Sequence, residues 1–152
     1  MLGRSPHLQG FCGEWAVDTE VSDTIDPMLK ELGVPYLARK VALMVKLLQT
    51  VQVEDNKFIV TNNSSLGDSS VVHMINAGPL EIKTHRGDLV LDETTFDPAK
   101  EYPLVIRAVL PDGKGRTTDE RRVEDPSTFL QTLTYAPPKG KKPIVMRRVW
   151  KR

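Results

Sequence analysis

The last eight residues of the chain, 145–152, run VMRRVWKR, with four cations, one indole and two valines. Such a run is either a loose basic tail for phosphate or membrane, or a strand that turns some of its cations inward. Side chains alternate across a strand. Arg148 and Trp150 then share a face with Ile144 and Met146, and Arg147, Val149 and Lys151 take the other. The cations divide between two faces, which fits a closing strand better than a tail. An inward arginine is a permanently charged planar fork that matches a carboxylate. An indole N–H donates one hydrogen bond and accepts none.

The remaining reactive residue types are sparse. His7, His73 and His85 lie in separate segments, with no H-x-H or H-x-x-x-H spacing and no cysteine pair nearby, so no metal site is expected. There is no G-x-S-x-G elbow and no P-loop, and no cofactor is implied. His73 falls in a strand-like run, where a lone histidine is ordinarily structural. Cys12 is the single cysteine and cannot form an internal disulfide. The formal net charge is +1, so nucleic acid is not an expected partner despite KGKKP at 139–143 and the basic end. No apolar stretch approaches the ~18 residues needed to cross a bilayer, and the N-terminal MLGRSPHLQG lacks an apolar signal core. The expectation is a soluble protein of a reducing compartment, the cytoplasm. The sequons at Asn62 and Asn63 are then chance matches.

The elements that must position these side chains show in punctuation and period. With 152 residues, 39% apolar and 27% charged, the chain has the composition of one globular domain. Residues 1–8 are expected to be a short flexible leader and 9–152 the domain. LQGFCGEWAV (8–17) alternates, with Phe11, Gly13 and Trp15 on one face, and predicts a strand. In SDTIDPMLKELG (22–33), Asp26 can cap a helix, Pro27 suits its first turn and Gly33 its stop. Ile25, Met28, Leu29 and Leu32 form one apolar stripe, and VPYLARKVALMV (34–45) predicts a second helix. From Leu48 onward the pattern is of strands: LQTVQVE, KFIVTNN, SVVHMIN, LEIKT, DLVLDE, PLVIRAV, RTTDERRV, TFLQTLTY and PIVMRRVW. Turn signals such as Asp55-Asn56, Arg86-Gly87-Asp88 and Asp112-Gly113 divide them. About ten strands, with two helices inserted after the first, predict an all-β fold. An up-and-down antiparallel barrel is the leading architecture and a sandwich the alternative.

Four collinear stretches resemble the intracellular lipid-binding proteins, the family of fatty-acid-binding and cellular retinoid-binding proteins. FCGEW (11–15) is similar to that family's F-x-G-x-W opening. Leu29-Lys30, Gly33-Val34, Arg39-Lys40 and Ala42 follow the M-K-x-x-G-V and R-K-x-A pattern of its paired lid helices. DGKGRTTDERR (112–122) resembles its D-G-K turn and following strand, and RRVW (147–150) stands where the family ends in T-R-V-Y. Residues 60–100 match by strand rhythm alone, and the leader and the loop at 136–143 make this chain longer than most members. The resemblance implies a ten-stranded antiparallel up-and-down β-barrel with a two-helix lid after the first strand. It further implies a monomeric, non-enzymatic carrier, cytoplasmic and extending to the nucleus, that holds a fatty acid, retinoid or similar lipophilic acid in its cavity.

Carried onto this chain, the family's two ligand-binding arginines fall on Arg121 and Arg148, and its tyrosine falls on Trp150, a departure from the pattern. Asp119 shares the face of Arg121 where the family has an apolar residue; it is either an internal counter-ion or a competitor of an acidic ligand. Ile25, Leu29, Val34 and Ala42 match lid and cavity positions, though any amphipathic helix pair would bury the same stripe. Phe11 and Trp15 are expected in the core. Lys30, Arg39 and Lys40 form a lid cluster suited to anionic membranes, where each cation contributes about 1 kcal/mol, or to nuclear import, or simply to a solvated face. Surface arginines on a solvated sheet are the plain alternative for Arg121 and Arg148. The competing function is an enzyme on a related barrel, with isomerase or proton-transfer chemistry on a lipophilic substrate.

Overall fold

The computed structural model describes residues 6–44, 46–65 and 67–152. A short helix α1 (Pro6–Gln9) precedes β1 (Gly13–Val17), and helices α2 (Asp26–Glu31) and α3 (Tyr36–Met44) follow it. Nine further strands complete the chain: β2 (Leu48–Glu54), β3 (Lys57–Ser64), β4 (Gly67–Met74), β5 (Leu80–Lys83), β6 (Leu89–Phe96), β7 (Leu104–Val109), β8 (Arg116–Asp125), β9 (Thr128–Ala136) and β10 (Ile144–Lys151). They form one ten-stranded sheet in the order β4-β3-β2-β1-β10-β9-β8-β7-β6-β5, with every neighbouring pair antiparallel. One continuous sheet whose first strand pairs with its last is the predicted up-and-down barrel, not a sandwich.

Closure is incomplete only at the seam between β4 and β5. No ladder joins these strands among the described residues; the wall is drawn together by an isolated bridge between Ile75 and Thr94. Side chains add to it. Ser69 on β4 meets His85 Nδ1 at 2.9 Å, and His73 Nδ1 on β4 meets Asp92 on β6 at 3.2 Å.

Two local expectations are corrected. The run 8–17 is not one strand: α1 and a turn occupy its first part, and pairing begins at Gly13. Leu8 is nevertheless 0% exposed and packs in the core with Phe11 and Trp15, so the expected leader is anchored at its end. Its residues 1–5 lie outside the described residues. Helix α2 starts one residue earlier than expected, with Ile25 at the N-cap and no side-chain cap. The carboxylate of Asp26 is engaged elsewhere, by Arg39 Nε at 2.9 Å. The stop at Gly33 is as expected. Gly33 has φ +84, its N–H bonds to the Lys30 carbonyl, and the Val34 N–H reaches back to Leu29, which closes the helix end in a Schellman pattern.

The core fills one end of the barrel. Phe129 stacks on Trp150 (5.5 Å, 4° between planes) and meets Trp15 and Phe11 edge-on at 4.8 and 5.9 Å. Phe11 also meets Phe58 edge-on at 6.0 Å. Each such pair adds about 0.5–1.5 kcal/mol to plain burial. Phe129 on β9 and Trp150 on β10 tie the last two strands into this aromatic floor, and with them the polar residues one step further along the same inward face.

Candidate functional site

Strand register places the two predicted arginines on one row of the wall. Gln131 on β9 pairs with Arg148 on β10 and with Arg121 on β8, so the three side chains stand on neighbouring strands at spacings of about 4.8 Å. All three point inward, in step with Phe129, Trp150 and Val123.

A directional chain of hydrogen bonds runs through this row. The Trp150 indole N–H donates to Gln131 Oε1 at 2.8 Å. Because an indole can only donate, it fixes the Gln131 amide with its nitrogen toward Asp119, and that nitrogen donates to Asp119 Oδ2 at 3.0 Å. Asp119 in turn accepts both arms of Arg121, Nε at 3.0 Å and Nη2 at 2.9 Å. Arg121 Nη1 donates to Gln49 Oε1 at 3.1 Å, and Gln49 Nε2 to Asn62 Oδ1 at 3.1 Å. The Arg121 guanidinium also lies over the Phe129 ring, 5.5 Å from its centre. A buried charge costs several kcal/mol unless partnered, and here Arg121, 4% exposed, is neutralised by its own chain.

Arg148 is the contrast. Its guanidinium stacks over Trp150 at 5.4 Å, yet its buried Nε has no hydrogen-bond partner. Burial lowers its pKa from the ordinary arginine value, Asp119 nearby opposes that shift, and Arg121 reinforces it. It lines a cavity of about 280 Å³ between the lid and β1 and β10, together with Val17, Ser22, Ile25, Ala42 and Leu47. That is close to the lower bound of ligand pockets, about 300 Å³.

Of the residues singled out by sequence, Arg148, Ile25 and Ala42 are brought together at this cavity. Arg121 lies on the same wall but is held by Asp119. Trp150 is 1% exposed, so its indole serves the hydrogen-bond chain and the aromatic floor. Leu29 is buried in the helix pair, and Val34 is half-buried with its carbonyl accepting from Arg39. Arg39 clamps α2 to α3 through Asp26 and Val34, with 14% of its side chain exposed, whereas Lys30 and Lys40 stand in solvent. No residue of α3 is buried; Leu37 and Met44 are 76% and 83% exposed.

Sequence reasoning missed Gln49, Asn62 and Gln131. The signal was present for two of them: Gln49 interrupts an inward run with Val51 and Val53, and Gln131 one with Phe129 and Leu133. Among the described residues no group of three His, Cys, Asp or Glu side chains is placed to hold a metal.

No protein-family model and no curated protein matches the chain by sequence. Solved structures match it closely in shape. A Schistosoma mansoni fatty acid binding protein in complex with arachidonic acid superposes with a TM-score of 0.74 at 23% identity, over 96% of this chain and 98% of that one. The fatty-acid-binding protein of Drosophila melanogaster brain tissue gives 0.72 at 24% identity, over 93% and 99%. A fatty acid transporter, REP1-NXSQ, gives 0.73 at 17% identity, over 93% and 94%. The chain therefore has the fold of these fatty-acid-binding proteins.

Proposed function

We propose that this chain is a non-catalytic carrier that takes a fatty acid, a retinoid or a similar lipophile into the barrel beneath its two-helix lid. The observation that carries the reading is Arg148, a half-buried guanidinium with an unpartnered Nε at the wall of the lid cavity. A buried donor left so is destabilising, and a ligand head group that accepts a hydrogen bond relieves it. The apolar lining from Val17, Ile25, Ala42 and Leu47 suits the tail next to that head. The related shape of proteins that carry fatty acids supports the same reading. Titration of delipidated protein with the fluorescent lipophile Nile red, and displacement by oleic acid, tests it. Saturable binding of about one equivalent, weakened about tenfold or more for oleic acid by Arg148→Met, is the expected result. Absence of saturable binding overturns it.

In this reading the carrier works as a cytoplasmic monomer and meets anionic membranes through its lid. Leu37, Val41 and Met44 fall on one outward face of α3, with Lys40 beside them and Lys30 on α2. An exposed apolar stripe flanked by cations is the pattern of an interfacial helix. Arg39, grouped with these cations on sequence grounds, takes the structural part of clamping the helices. Sedimentation with vesicles containing anionic phospholipid should fall on Leu37→Ser/Met44→Ser, and equal sedimentation of that variant counts against the lid as the contact.

A further inference from the structure

The geometry points to Asp119 as the residue that sets head-group choice, and we propose that it shifts the chain from lipophilic acids toward lipophiles with an uncharged hydroxyl or amide head. This rests on the carrier reading above and narrows its ligand class.

Asp119 stands where a ligand carboxylate would stand relative to Arg121. It takes the guanidinium in the two-armed geometry that a bound acid would use, Nε to one oxygen at 3.0 Å and Nη2 to the other at 2.9 Å. A third bond, from Gln131 at 3.0 Å, holds it there. That bond is oriented by Trp150, whose indole accepts nothing and so forces the amide of Gln131 to turn its nitrogen to Asp119. Asp119 and Trp150 are thus parts of one device, joined through Gln131. The Asp119 carboxylate, which only accepts, requires the same orientation of the Gln131 amide from the other side.

The consequence is electrostatic. Arg121 and Asp119 together carry no net charge, and Arg148 is left as the one open cation of the row. The side chain of Asp119 is 16% exposed against 4% for Arg121, so the carboxylate is the more accessible member of the pair. A carboxylate ligand gains Arg148 and is repelled by Asp119. A hydroxyl or primary amide accepts from Arg148 and donates to Asp119, and no like-charge contact results.

The test compares oleic acid with oleyl alcohol, each displacing Nile red from delipidated full-length protein. The wild type should bind the two with Kd values within about threefold of each other. Asp119→Asn should favour the acid over the alcohol by about tenfold relative to wild type, because Arg121 becomes available. Asp119→Asn/Arg121→Gln should return the ratio to the wild-type value. The inference is overturned if Asp119→Asn binds both ligands with an unchanged ratio, or if the wild type already prefers the acid by about thirtyfold or more. If Asp119→Asn fails to fold because it strands a buried guanidinium, the double variant decides. A wild-type ratio supports the inference, and a loss of acid affinity of about tenfold shows that Arg121 was binding the acid all along. Binding of neither ligand by wild type overturns the carrier reading and this inference with it; good binding by Asp119→Asn with an unchanged ratio overturns this inference alone.

Discussion

Gln131→Leu removes the link between the aromatic floor and the charged pair. The substitution leaves the Trp150 N–H, in a side chain 1% exposed, with no acceptor, a loss of about 1–3 kcal/mol. It also removes one of three hydrogen bonds to the Asp119 carboxylate, about 1.5–3 kcal/mol for a charged acceptor. Because Asp119 keeps both bonds from Arg121 and some contact with solvent, the second loss falls at its lower bound. The total is about 2–5 kcal/mol, or about 5–15 °C in Tm for a domain of this length. The diagnostic measurement is a double-mutant cycle with Trp150→Phe, read by denaturant unfolding. Trp150→Phe deletes the donor, so Gln131→Leu should cost less in its background, with a coupling energy of about 1 kcal/mol or more. Additivity of the two changes within about 0.3 kcal/mol would refute the hydrogen-bond chain as the organising feature of this wall.

Other outcomes follow from the same geometry. Arg39→Met should speed amide exchange across α2 and α3 while leaving barrel exchange unchanged, since the guanidinium is the clamp between Asp26 and the Val34 carbonyl. Gly115→Ala should cost about 3 kcal/mol or more, because φ is +108 and a Cβ would sit 2.3 Å from the Ala136 carbonyl oxygen. Gly33→Ala, with φ +84 and nothing within 4 Å, should cost only about 1 kcal/mol, and thermal melts of both variants check the contrast. Burial lowers the pKa of His85, Ser69 opposes this, and His73 and Arg121 reinforce it. The folded chain therefore takes up this proton later than the unfolded chain as pH falls. The contribution of His85 is full above the ordinary histidine range and declines as pH drops through that range toward the lowered value. Melting curves between about pH 8 and pH 5 should show a shallower decline for His85→Gln than for wild type; parallel curves would remove His85 from the account.

The barrel was legible because its cues are local. Asp55, Gly87 and Asp112-Gly113 take left-handed backbone at their turns, and the runs between them became strands to within a few residues. Helix α1 was not legible: four residues are too few to show a helical period, and the alternation of 8–17 fits a strand equally well. The inward placement of Arg148 followed from simple alternation on one strand. The pairing of Arg121 with Asp119 was open to the same alternation on β8, but the bond from Arg121 to Gln49 on β2 and the bond from Gln131 on β9 to Asp119 form only when the barrel closes. Trp150 is the sharpest case. Sequence marks it as an odd residue in a ligand row, but its hydrogen bond is diagonal: Trp150 pairs with Phe129, and Gln131 lies two residues further along β9, a neighbourhood that strand pairing alone determines.

Native mass spectrometry of the purified chain, repeated after organic extraction, tests the carrier reading most directly. The reading predicts a protein-plus-lipid mass that survives gentle ionisation, collapses to the bare chain on extraction and returns when a long-chain acid, alcohol or retinoid is added back. A chain that is bare as isolated and takes up none of those three added lipophiles would contradict it.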